Sequence, residues 1–252
     1  MDTDQAPSKN SKNSGKSFEQ ICEENDFRGE LLSTTAHSLR TSLSAIKWTL
    51  QMFLDKDFGE ITPEQENMLK KTFENNDRMI SIVNDMIKVN KSMDHTQNTE
   101  NESVDVVELL ESLAFDFNAE SFKNGVSIVF NKPQTDCFIK SNTEKLRLIF
   151  SNLIENAIKY SSAGNKIYIN ISDAGESFMF SIKDTGIGVP EKEKPHLFEK
   201  FYRATNAVAK EPTGSGIGLY TVKKIVEALG GTVDFESDQT GTTFNITLKK
   251  QP

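Results

Sequence analysis

Residues Asp184–Pro190 read DTGIGVP. An aspartate at the end of an alternating apolar run, followed by Gly186 and Gly188, lets the backbone turn closely around a planar ligand. The carboxylate can then accept from an exocyclic amine of the kind adenine offers. Alone, the run would also suit a plain turn. A second glycine set follows it: Gly214–Tyr220, GSGIGLY, opens directly into a helical pattern. Glycines at a helix N-terminus form a nest of backbone N–H groups suited to phosphate. A dinucleotide-binding Rossmann unit is excluded because no strand precedes this second set.

Working upstream, Asn142 is placed to cap a helix that runs to about Tyr160 and contains Asn152–Ser161, NLIENAIKYS. Helical spacing sets Asn152, Asn156 and Lys159 or Tyr160 near one face, with Leu153, Ile154, Ala157 and Ile158 towards a core. Amide oxygens and an ammonium suit a magnesium phosphate; by themselves they would also suit a solvated helix surface. Around these segments the periodicity predicts a helix over Val106–Phe122 and strands over Val126–Phe130, Phe138–Lys140, Lys166–Ser172 and Phe178–Asp184. A helix from about Gly218 to Leu229 and a closing strand pair turning near Gln239–Gly241 complete the pattern. This mix is that of a two-layer α/β sandwich.

Residues 93–103 are polar and aperiodic and read as a linker. Before it, Leu32, Ala36, Leu39, Leu43, Ile46, Leu50 and Phe53 alternate in steps of four and three, the repeat of a coiled-coil seam. The helix stops near Phe58-Gly59, and Thr62-Pro63-Glu64-Gln65 supplies an N-cap, a first-turn proline and a capping-box glutamine. A second helix continues the repeat through Leu69, Phe73, Met79, Ile80, Val83, Met86 and Ile87, with Asn76 as a polar interruption. The short connection makes an antiparallel hairpin. Its single apolar stripe calls either for a second copy, giving a dimeric four-helix bundle, or for packing against its own chain. The domain reading is a disordered leader over 1–26, a helical hairpin over 27–92, the linker over 93–103 and an α/β domain over 104–250.

Across 252 residues the hydrophobic fraction of 36% suffices for a sizeable core. The net charge of -8 gives no footprint for nucleic acid or an anionic membrane surface. Cys22 and Cys137 have neither disulfide nor zinc spacing, which fits a reducing, cytoplasmic compartment. No apolar run approaches the roughly 20 residues of a membrane span. The stretch before the first helix is too short for a further folded domain, so a truncated piece of a longer chain, or a chain that acts through a partner, is expected.

Taken in order, NLIENAIKYS, DTGIGVP, Leu197–Ala204 (LFEKFYRA) and GSGIGLY resemble the N, G1, F and G2 boxes of sensor histidine kinases, within the gyrase, Hsp90, kinase and MutL superfamily. His37, in Ser33–Trp48 (STTAHSLRTSLSAIKW), resembles the family's phosphoacceptor. The resemblance spans about Phe27 to Lys249.

It implies ATP and Mg²⁺ as cofactors, with Asn156 on the metal, Asn152 beside it, Lys159 reaching phosphate and Tyr160 near the nucleotide. Asp184 would take the adenine amine. Gly186, Ile187 and Gly188, together with Gly214, Gly216, Gly218 and Leu219, would line the nucleotide. An ATP lid is implied over about Glu191–Thr213, ordering only over nucleotide, with Phe198 and Phe201 packing it and Arg203 approaching the γ-phosphate. Hydrolysing members carry glutamate where this chain has Asn152, and an amide cannot take a proton from water.

The family's phosphoacceptor box reads HELRTP; here it is HSLRTS, His37–Ser42. Arg40 and Thr41 match. Ser38 replaces the carboxylate that orients the ring and accepts its proton, and Ser42 replaces a helix-bending proline. Thr41 is the residue that in the family orients water against a phosphorylated receiver. The implied function is autophosphorylation on His37, phosphotransfer to an aspartate of a response regulator receiver domain, and a bias towards phosphatase action because of Ser38. A nucleotide-binding pseudokinase acting as a scaffold is the alternative. A serine kinase of this ATP fold would lack the hairpin with its histidine.

Overall fold

The computed structural model describes residues 18–93 and 102–250. Residues 1–17 of the expected leader and 94–101 of the expected linker lie outside the described residues.

Two long helices come first, α1 (Phe18–Leu54) and α2 (Pro63–Met93), packed as a hairpin. α1 starts at Phe18 rather than near Phe27, so the leader expected over 1–26 is helical in its last nine residues. The turn is built as its chemistry dictates. Gly59 takes φ 110°, and the capping box closes in both directions: Gln65 N–H donates to Thr62 Oγ1 at 3.2 Å, and Thr62 N–H donates to Gln65 Oε1 at 2.8 Å. Each bond satisfies an N–H that helical geometry leaves free. Asn76 is buried, and its amide donates to the Leu43 carbonyl of α1 at 3.0 Å, so the polar break in the seam is a cross-helix tie.

The hairpin buries only part of its seam. Ala36, Leu43 and Leu50 are partly covered, whereas Leu39, Ile46 and Phe53, spaced by seven, remain exposed at 48%, 47% and 38%. Met79 and Met86 on α2, also seven apart, are exposed as well.

The second region is a five-stranded sheet of order β2-β4-β5-β7-β6 with helices on one face. Its strands are β2 (Ser127–Asn131), β4 (Lys166–Asp173), β5 (Ser177–Lys183), β6 (Thr232–Asp238) and β7 (Gly241–Lys249). Only β2 and β4 pair in parallel; the other pairs are antiparallel. Strand alternation sends Ile167, Ile169, Ile171, Phe178, Phe180, Ile182, Ile246 and Leu248 into one core.

That core is covered by α3 (Val106–Asp116), α5 (Thr143–Tyr160) and α7 (Gly218–Ala228). α5 supplies Leu146, Ile149, Phe150, Leu153, Ile154, Ala157 and Ile158, the i, i+3, i+4 stripe of an amphipathic helix. Its N-cap is Asn142, whose side chain accepts from Lys145 N–H at 3.0 Å. The helix expected over Val106–Phe122 is two: α3 ends at Asp116, and α4 (Asn118–Lys123) follows after Phe117, whose ψ of -2° departs from the helix. β1 (Glu102–Asp105) and β3 (Phe138–Ser141) form a separate two-stranded sheet.

Candidate functional site

A cleft of about 300 Å³ opens between α5, the two glycine turns and the segment that joins them. The end of β5 delivers Asp184 to its floor, 5% exposed. Asp184 Oδ1 accepts from Gly186 N–H at 2.9 Å and Thr242 N–H at 3.2 Å. Burial pushes this carboxyl above the usual range, and the two backbone donors only partly offset it. The Asp184 backbone is itself fixed, its N–H donating to the Thr242 carbonyl.

Beside it the chain passes through Gly188 at φ 62°, where a Cβ would lie 1.7 Å from the Asp238 carbonyl oxygen. No other residue type fits so close to the β6–β7 turn. Ile187 N–H donates to the Tyr160 carbonyl at 3.2 Å, tying this turn to the last residue of α5.

Asn152, Asn156, Lys159 and Tyr160 all line the cleft from α5. Asn152 donates to the Leu148 carbonyl at 2.7 Å, and its Oδ1 lies where a Cβ on Gly218 would come within 2.8 Å. Glycine at that position is what lets α7 begin against α5. Lys159 is paired with Glu155 at 2.5 Å. Burial alone would lower its ammonium, but the charge and hydrogen bond of Glu155 prevail and hold it above the ordinary value. Gly214, Gly216, Gly218 and Leu219 line the opposite wall at the start of α7, and Ile187 and Gly188 line the cleft too.

Three residues expected at the nucleotide do not line the cleft. Gly186 serves as the donor that holds Asp184. Phe198 packs edge-on against Phe235 with ring centroids 5.8 Å apart, anchoring the base of the lid to the sheet. Phe201 is exposed at φ 68°, its N–H donating to the Gly216 carbonyl at 2.9 Å.

The lid carries a 3₁₀ helix over Glu191–His196 and a short helix, α6, over Thr205–Lys210. Its cohesion is polar. The Arg203 guanidinium donates to the carbonyls of Ala207, Glu211, Pro212 and Gly214, so that Arg203 lines the cleft while its donors are turned into the lid. Asn206 donates to the Gly188 carbonyl at 2.9 Å, and Lys210 donates to the carbonyls of Tyr160 at 2.9 Å and Ser161 at 2.6 Å. These bonds fasten α6 across the cleft.

His37 is exposed on α1 and is not among the cleft residues. Around it the hydroxyls fold back on the helix. Ser38 donates to the Thr34 carbonyl, Thr41 to the His37 carbonyl and Ser42 to the Ser38 carbonyl, each at 3.1 Å. Arg40 Nε is buried and has no hydrogen-bond partner among the described residues. Sequence reasoning missed one wall altogether: Ser81, Asn84 and Asp85 of α2 line the cleft, and Asp85 accepts a hydrogen bond from Ser215 Oγ in the second glycine turn.

Two family models match. Residues 27–93 match the His Kinase A (phospho-acceptor) domain, and residues 141–252 match the Histidine kinase-, DNA gyrase B-, and HSP90-like ATPase. The sensor histidine kinase WalK of Bacillus subtilis is 30% identical over 226 residues, covering 88% of this chain and 36% of WalK. Among solved structures, full-length ShkA in complex with AMPPNP superposes with TM-score 0.60 at 24% identity, covering 87% of this chain and 45% of that one. Acinetobacter baumannii histidine kinase AdeS gives 0.58 at 23% identity over 86% of this chain and 98% of that one. The chain thus spans about a third of the curated relative, and among its described residues no helix is long and apolar enough to cross a membrane. A phosphoacceptor helical domain and an ATPase domain stand in tandem, and the chain belongs to the sensor histidine kinases.

Proposed function

We propose that this chain is a histidine kinase core that binds ATP with Mg²⁺ in the cleft, transfers the γ-phosphoryl group to His37, and passes it to an aspartate of a response regulator receiver domain. The observation that carries the reading is the cleft itself, where a buried carboxylate with one oxygen held by backbone donors faces two asparagines and a glycine-rich helix start. Asp184 takes the adenine amine. The glycine turn from Gly214 to Gly218 holds phosphate, Asn156 with Asn152 beside it offers amide oxygens to Mg²⁺, and Lys159 meets phosphate charge. The ion, when bound, offsets phosphate charge. Asn152 leaves water without a general base, which favours a side-chain acceptor over hydrolysis.

In the transfer a ring nitrogen of His37 attacks the γ-phosphorus, a P–N bond replaces the P–O bond to ADP, and the imidazole sheds a proton. The hydroxyl of Ser38 is no base and is committed to the Thr34 carbonyl. Proton removal is therefore left to water, and a bias towards phosphatase action through Thr41 follows. The hairpin over 27–92 works as a dimer that covers the exposed rows Leu39, Ile46, Phe53 and Met79, Met86 with a second copy, and the domain over 104–250 supplies the nucleotide.

The test is incubation with γ-labelled ATP and Mg²⁺, with and without a phosphorylated receiver. His37→Ala abolishes label on the chain while leaving nucleotide binding intact. Ser38→Glu raises the labelling rate by about 10²-fold, the lower range for positioned acid–base help. Label that survives His37→Ala overturns the acceptor assignment. Wild-type labelling as fast as that of Ser38→Glu overturns the phosphatase bias. A chain that binds nucleotide yet never labels, even as Ser38→Glu, is a scaffold instead.

A further inference from the structure

The hydrogen bond between Ser215 and Asp85 joins residues 130 apart in sequence and links the hairpin to the ATP domain. Ser215 is 5% exposed, and its Oγ also accepts from Ile217 N–H at 3.1 Å, so the hydroxyl is part of the turn that starts α7. Asp85 and Ser215 line the same cleft as Gly214, Gly216 and Gly218. A carboxylate from the hairpin therefore sits at the N-terminal mouth of an 11-residue helix, against the turn whose backbone N–H groups suit an anion. Ser81 and Asn84, one turn of α2 and less from Asp85, wall the cleft on the same side.

We propose that Asp85 competes with the nucleotide's phosphates for the α7 turn, so that nucleotide binding expels Asp85 from Ser215 and releases the ATP domain from α2. The inference rests on the reading of the cleft as the nucleotide site and adds a residue that determines affinity from the other domain. The physical basis is like charge. A carboxylate and a triphosphate cannot both be seated at one small turn inside a partly dry cleft, because their repulsion is least screened there. The release also has a use. His37 stands on α1 and outside the cleft, so a donor domain held on α2 is kept from its acceptor until nucleotide arrives. As long as the bond is made, only a fraction of molecules is competent to bind, and apparent affinity falls by that fraction.

The test uses the 252-residue chain, Mg²⁺ and a non-hydrolysable ATP analogue, with binding read by calorimetry. Asp85→Ala, a helix-favouring change outside the glycine turns, binds the analogue about five- to tenfold more tightly than wild type. Asp85→Asn, which keeps an acceptor but loses the charge, falls between the two. As a second readout, Asp85→Cys with Ser215→Cys in a Cys22→Ser background forms a disulfide under mild oxidation, at a rate slowed at least about fivefold by saturating analogue. Equal or weaker binding by Asp85→Ala overturns the competition, as does a disulfide rate indifferent to nucleotide. If neither wild type nor Asp85→Ala binds the analogue, the nucleotide reading itself falls and the competition with it.

Discussion

Asp184→Asn separates what the buried carboxylate does for the fold from what it does for the ligand. In the structure Oδ1 receives both backbone donors, Gly186 N–H at 2.9 Å and Thr242 N–H at 3.2 Å. Asparagine keeps that oxygen, and it loses a charge whose burial is unfavourable enough to raise the carboxyl's pKa. The variant is therefore expected to unfold within about 1 kcal/mol of wild type, or to be slightly more stable. Binding changes in the opposite sense. The second oxygen becomes an amide NH₂, which faces the adenine amine donor to donor. Losing a hydrogen bond to a charged acceptor and stranding the amine together cost about 3–4 kcal/mol, or roughly 10²–10³ in Kd. The assay pairs thermal unfolding with calorimetric titration of a non-hydrolysable ATP analogue. A purine triphosphate with a carbonyl in place of the amine is expected to regain part of the loss on Asp184→Asn, since its acceptor meets the new donor. Binding of the adenine analogue within fivefold of wild type would refute the assignment of Asp184 to the amine.

The pH dependence of the same group gives a second expectation. The folded carboxyl is raised above its unfolded value, so its ionisation disfavours the fold at high pH and that loss is relieved as pH falls through the raised value. Nucleotide binding needs the ionised form and weakens over the same window, so as pH falls the wild type should gain apo stability relative to Asp184→Asn while its affinity declines. Measuring the difference cancels the other carboxylates, such as Asp173 and Asp238, whose lowered values make them lose stability in acid, and a difference that runs the other way would contradict the assignment. Arg203→Ala removes the donor shared by four lid carbonyls and is expected to speed nucleotide dissociation about tenfold, with amide exchange rising over residues 205–213 and the melting temperature lowered by less than about 3 °C. Ile46→Glu places a charge in an exposed heptad row and is expected to break the proposed dimer into monomers in light scattering without unfolding the ATP domain, whose core it does not touch.

Elements set by local chemistry were the legible ones. The Thr62–Gln65 capping box, the Asn142 cap and the stripe of α5 depend on side chains within a turn of one another, and the structure reproduces each of them. The cleft was legible to the extent that glycines and polar residues are clustered in three short runs, and most of those residues do line it. What was illegible depends on distant contacts. Nothing around Asp85 signals a partner 130 residues away, and an Asn-Asp pair on a seam helix reads as solvent-facing. The four carbonyls curling round Arg203 are silent too, because they come from Ala207, Glu211, Pro212 and Gly214, whose backbone path depends on how the lid folds. The lid reads as irregular because its order comes from Asn206 and Lys210 reaching backbone carbonyls of other segments. The break at Phe117 is equally silent, since apolar periodicity carries straight through it.

The back-bonded hydroxyls on α1 have a mechanical consequence. The carbonyls of Thr34, His37 and Ser38 lie on one face, and each holds a side-chain hydroxyl in addition to its place in the helical ladder. A carbonyl shared in this way is drawn outward, the rung beneath it lengthens, and the helix is softened on that side. The prolines that bend other helices fix a hinge in place, whereas three hydroxyls make a yielding one. A twist or tilt applied at the Phe18 end of α1 would meet this softened stretch around His37 before it reached the Gly59 turn.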